Sequence, residues 1–144
     1  MDIVTTILSA AKVAKVSGIL LLAICSHESN GFTMNYSPND KGSPSYGVCQ
    51  IKESTAKMLG FRGKPQDLNN SKTNARYAAL YLKYEQTRYG EADWCVLTAS
   101  YNSGSYLESR EPGYPRNLRY VRMVQEKLPE DFRDKLSCGN ANSS

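Results

Sequence analysis

Glu28 ends a run that is otherwise apolar, Ile19-Leu20-Leu21-Leu22-Ala23-Ile24-Cys25, and leads into Asn30-Gly31. On a helix it follows Leu21 by seven residues and Ile24 by four, so it shares their face, the one expected to be buried. A carboxyl among apolar neighbours resists ionisation, and its pKa rises. The negative end of the helix dipole adds slightly to that. A carboxylic acid still protonated near neutral pH is what general-acid chemistry requires. A solvated glutamate near a helix end is the plainer reading, and position alone leaves both open.

Two further clusters carry hydrogen-bonding groups in apolar settings. In Gly47-Val48-Cys49-Gln50-Ile51 a glycine beside a glutamine suggests close backbone approach and one buried amide reaching into a cleft; an edge strand of no special role fits equally. Ser100-Tyr101-Asn102-Ser103-Gly104 reads as a helix ending in polar side chains, which a C-cap with a core tyrosine also explains. The single histidine, His27, leaves little material for a nucleophilic triad and reads as a helix-end group.

The elements that must hold these residues are almost all helical. Apolar positions Ile3, Ile7, Ala10, Ala11 and Ala14 predict a helix over about 3–16, and Gly18 separates it from a second, more apolar one over Ile19 to Ser29. Pro38, Asn39, Asp40, Gly42, Pro44 and Gly47 make 32–47 a loop or irregular hairpin, with a short strand at Val48 to Ile51. Ser54 is expected to cap a helix from Thr55 to Leu59, and 61–71 is turn-rich. A long helix over Lys72 to Tyr89 carries Ala75, Ala78, Ala79 and Leu82 on one stripe. Asp93 caps a helix through Trp94 and Tyr101; helices at Pro115 to Leu128 and Pro129 to Leu136 follow. One domain over 1–136 with a disordered tail over 137–144 is expected.

Composition narrows the class. The longest apolar stretch, Gly18 to Cys25, is far short of the roughly 20 residues that span a bilayer, so no stable membrane insertion is expected. A net charge of +4 suits an anionic partner without selecting one, and with ten tyrosines it is too weak a signal to expect nucleic acid. Cys25, Cys49, Cys95 and Cys138 lack metal-ligand spacing, so neither metal nor cofactor is expected. Three lie in apolar segments, and the start, Met1-Asp2 with no early basic residue, does not read as a signal peptide. Free thiols and synthesis in a cytoplasm follow as expectations.

In order along the chain, Ser26-His27-Glu28-Ser29, Gly47-Val48-Cys49-Gln50-Ile51, Ser100-Tyr101-Asn102-Ser103-Gly104 and Arg119-Tyr120-Val121 resemble the motifs of the soluble-type lytic transglycosylases. The likeness covers roughly 17–125. Each motif alone is weak; four in register are specific. Val48 and Cys49 stand where the family usually has Leu-Met, and Ser100 and Ser103 where alanines are commoner.

The resemblance implies a mainly α, lysozyme-like domain of the goose-lysozyme type, with at most a small β-hairpin region near 32–51 and a cleft for a glycan strand. It implies peptidoglycan as partner, a monomer, and Glu28 as the one catalytic acid/base, the substrate's N-acetyl group replacing a second carboxylate. Ser29 would position the acetamido group or the glutamate. Gln50 and Asn102 would hydrogen-bond sugar or peptide, Tyr101 would line the sugar site, and Tyr120 would donate to Glu28. Asp40 is the spare carboxylate if a second were needed, and Arg116, Arg119 and Arg122 read as a solvated helix face. The rival outcomes are a goose-type hydrolase and a non-catalytic wall-binding or virion component. The absence of a recognisable leader points to a phage lysin that reaches the wall through a lysis pore or within a virion.

Overall fold

The computed structural model describes residues 1–33, 35–91 and 93–139, and the chain forms two compact units, one over Met1–Lys83 and one beginning at Tyr84. The first unit opens with α1 (Ile3–Ala14), whose N-cap Asp2 accepts from the Thr5 amide at 2.8 Å. Left-handed Lys15 ends it, and Ser17 caps α2 (Gly18–Glu28) by accepting from the Leu20 amide at 3.1 Å. Gly18 is where the two helices come close, since a Cβ there would stand 2.8 Å from Leu8 Cδ2. Ile7 and Ala11 of α1 and Leu20, Leu21, Ile24 and Cys25 of α2 are sealed from solvent and form this unit's core.

A small antiparallel sheet follows: β1 (Tyr36–Asp40), β2 (Ser43–Tyr46) and β3 (Ile51–Lys52), in that order, with Tyr36 opposite Tyr46 and Tyr46 opposite Ile51. Lys41 and Gly42, both at positive φ, make the two-residue hairpin turn that matches strand twist. A small sheet in this region is what the sequence led one to expect. The strand anticipated at Val48 to Ile51 begins only at Ile51. Gly47 (φ 77°) and Gln50 (φ 52°) are left-handed, which an extended strand does not allow, so 47–50 is a turn. The next helix, α3 (Glu53–Met58), starts a residue before Ser54, with Lys52 at the cap position and no side-chain cap. Lys52 reaches back to the hairpin instead, donating to Asp40 O and, at 2.7 Å, to Ser43 Oγ. A 3-10 helix, Pro65–Asn69, leads into α4 (Ser71–Tyr89), along which the chain passes from the first unit to the second. The expected stripe Ala75, Ala78, Ala79 and Leu82 is buried.

In the second unit Asp93 caps α5 (Trp94–Ser103) as expected, accepting from the Val96 amide at 3.1 Å, and left-handed Gly104 ends it. Helix α6 (Leu118–Gln125) is shorter at both ends than Pro115 to Leu128. Pro115 bridges to Glu108 in extended conformation, and Lys127 and Leu128 close tighter turns on Val124 O and Gln125 O. The last expected helix is a 3-10 helix, Glu130–Leu136, whose Phe132 stacks on Trp94 with centroids 6.5 Å apart.

The expectation of free thiols is overturned. Cys25 bonds to Cys49 and Cys95 to Cys138. Partners 24 and 43 residues apart meet only through the fold, so spacing held no sign of them. Of the tail expected to be disordered, Ser137–Gly139 is in place, with Cys138 bonded and the Gly139 amide donating to Gly113 O at 2.9 Å. The rest of that tail lies outside the described residues. Among the described residues no helix is long and apolar enough to cross a membrane, and no three His, Cys, Asp or Glu gather to hold a metal ion.

Candidate active site

Glu28 is the last residue of α2 and is half-buried, one turn beyond the fully buried Ile24 and Cys25. The next residue, Ser29, has no exposure at all. Its hydroxyl donates to Cys25 O at 2.8 Å and accepts from the Phe32 amide at 3.0 Å. Both functions of the hydroxyl therefore serve the helix end, satisfying backbone groups that a terminus leaves open. Ser29 shapes the turn that carries Glu28.

The Gly47–Gln50 turn joins the same neighbourhood through covalent chemistry. Cys25, three residues before Glu28, is bonded to Cys49, the residue before Gln50. Gln50 is nearly buried, and its side-chain Nε2 donates to Gly47 O at 2.8 Å, folding the amide back over its own turn. Asn74 of α4 pins the turn from the other side. Its Oδ1 accepts from the Cys49 amide at 2.8 Å, and its Nδ2 donates to Leu68 O at 2.8 Å and Tyr46 O at 2.6 Å. This arrangement explains Gly47: a Cβ there would fall 2.2 Å from Asn74 Nδ2. Asp40, the spare carboxylate, accepts from Ser45 Oγ at 2.7 Å within the hairpin.

The remaining sequence-predicted residues lie in the second unit. Tyr101 is buried in the last turns of α5 and Asn102 is half-buried beside it. Asn117, immediately before α6, donates through Nδ2 to Asn102 Oδ1 and to Ala99 O, each at 3.0 Å. The Asn102 amide is thus anchored through its oxygen. Ser103 Oγ bonds to Ala99 O at 2.9 Å and Ser105 O at 2.6 Å, closing the helix end. Tyr120 is half-buried on α6 next to fully buried Val121. Arg116, Arg119 and Arg122 are exposed, as a solvated face requires.

Thus Glu28, Ser29 and Gln50 share one unit, joined by a disulfide, and Tyr101, Asn102 and Tyr120 share the other. Sequence reasoning missed the two asparagines that hold them, Asn74 and Asn117. The signal for Asn74 was present: it lies four residues before Ala78, a polar amide on the apolar stripe of α4. Asn117 had no comparable mark.

A search of curated proteins returns no match to the chain. The family model of the transglycosylase SLT domain, in contrast, matches residues 5–120, a span holding all six of these side chains. A mainly helical chain with a small antiparallel sheet and this motif order belongs to the transglycosylase SLT family, lysozyme-like proteins with a lytic-transglycosylase type of peptidoglycan-degrading function.

Proposed function

We propose that the protein cleaves the β-1,4 bond between N-acetylmuramic acid and N-acetylglucosamine with Glu28 as its only acid/base, forming a 1,6-anhydromuramyl end. The observation that carries this reading is the place of Glu28: half-buried, one turn past a sealed apolar segment, and tied through Cys25–Cys49 to the turn of Gln50. Glu28 in its acid form gives its proton to the glycosidic oxygen as the C1–O bond breaks, and the N-acetyl group of the substrate stabilises C1. The carboxylate so formed takes the proton of the muramyl 6-hydroxyl, whose oxygen closes on C1. Glu28 ends as it began, and no water is consumed.

Gln50, Tyr101, Asn102 and Tyr120 hold sugar in this reading, and Ser29 positions Glu28 through the backbone turn that it caps. Two disulfides suit work on the wall outside a reducing cytoplasm.

Muropeptide analysis of digested cell wall tests the proposal. Wild type is expected to release products one water lighter than hydrolytic ones, without a reducing end. Glu28→Gln, nearly isosteric, is expected to fold normally and lose at least about 100-fold in rate. Reducing-end products would establish the hydrolase instead, and full activity in Glu28→Gln would defeat both.

A further inference from the structure

The least expected group of the second unit is Glu85, a carboxylate in α4 with no exposure. One oxygen accepts from Arg88 Nη1 at 3.2 Å, while Oε2 has no hydrogen-bond partner among the described residues. Burying a half-satisfied carboxylate costs stability, and an ion pair whose cation is open to solvent returns little of that cost. Stability is therefore a poor reason for the pair. What the pair does is visible in the rest of Arg88. Its Nη1 also donates to Gly104 O at 2.9 Å and its Nη2 to Ser105 Oγ at 3.2 Å. The guanidinium lies 4.8 Å from the ring centre of Tyr89 and 5.4 Å from that of Tyr84, which limits where it can swing. The Tyr89 hydroxyl in turn accepts from the Tyr106 amide at 3.0 Å.

The last turn of α4 thus grips residues 104–106, the three that follow Tyr101-Asn102-Ser103. Gly104 is the left-handed cap of α5, with its amide closing on Ser100 O, so a grip on its carbonyl holds the residue at which the helix that carries Tyr101 and Asn102 ends. A planar guanidinium can hold a carbonyl and a hydroxyl at once in fixed geometry; a lysine ammonium cannot.

We propose that Arg88, anchored by Glu85, is a positioning residue that sets where Tyr101 and Asn102 meet the glycan; this rests on the glycan-cleaving reading above. The test is Glu85→Leu/Arg88→Leu, which removes both charges together and so avoids stranding either. Its melting temperature is expected at or above that of wild type. Its KM for soluble glycan strands is expected to rise about tenfold with kcat little changed, since the loss falls on holding the strand. Arg88→Lys, which keeps a cation beside Glu85, is expected to shift KM the same way by about threefold, and it decides the question alone if the double variant does not fold. Variants with wild-type KM, or a fall in kcat at unchanged KM, would overturn the proposal. Wild type is measured first: no soluble muropeptide from it would overturn the glycan-cleaving reading itself, and the role of Arg88 with it.

Discussion

Replacing Asn74 by alanine removes one side chain and strands three backbone groups. The Cys49 amide loses its acceptor, and the Leu68 and Tyr46 carbonyls lose their donor. Cys49 and Leu68 have no exposure, so water cannot take over at either, whereas half-buried Tyr46 is nearer solvent. Each buried orphan costs about 1–3 kcal/mol, which sums to about 3–7 kcal/mol with Tyr46 at the low end. Against a total of about 5–15 kcal/mol for a typical domain, that is a large fraction. Asn74→Asp separates hydrogen bonding from volume. It keeps an acceptor for Cys49 but replaces the donor of two hydrogen bonds with an acceptor oxygen facing the Leu68 and Tyr46 carbonyls, so it should destabilise at least as much as alanine. Gly47→Ala strikes the same contact from the other side, because its Cβ would displace Asn74. The double variant Gly47→Ala/Asn74→Ala should therefore cost less than the sum of the two. Urea unfolding of the oxidised protein measures all of these. Losses below about 1 kcal/mol for both Asn74 variants, or aspartate milder than alanine, would refute the role given to this side chain.

Removing the Cys25–Cys49 bond with paired alanines should lower stability by about 3–4 kcal/mol, from the 24-residue separation that it closes, and the melting temperature of this variant under oxidising conditions checks it. The Thr5 amide holds the Asp2 carboxyl below its ordinary value of 3.8. A depressed folded-state pKa means that this support for α1 is complete well above that value and is lost as pH falls through the folded pKa, so the stability gap between wild type and Asp2→Ala should close in acid; a gap unchanged at pH about 2 would contradict it.

Helix periods and some caps were readable along the chain because they depend on neighbours within a turn or two: Asp93 and its Val96 amide, the alanine stripe of α4, Gly104 after α5. Glu28 stood out for the same reason, as one acid in an apolar run. Where the reading failed, the deciding partner was distant or the backbone conformation was. Val48 to Ile51 looked like a strand by composition, but left-handed Gly47 and Gln50 and an asparagine 25 positions beyond Cys49 make 47–50 a turn and leave only Ile51 in a strand. Cys25, Cys49 and Cys95 looked like small hydrophobes, and they are as buried as that reading requires, yet only the packed chain brings the four sulfurs together in pairs. Asn117 and Arg88 earn their places by what they reach 15 to 17 residues away, and nothing in periodicity encodes that. Local propensity could choose the helices and nominate the acid. Which side chains hold the acid's neighbours still was decided by hydrogen bonds and disulfides whose second partner comes from another part of the chain.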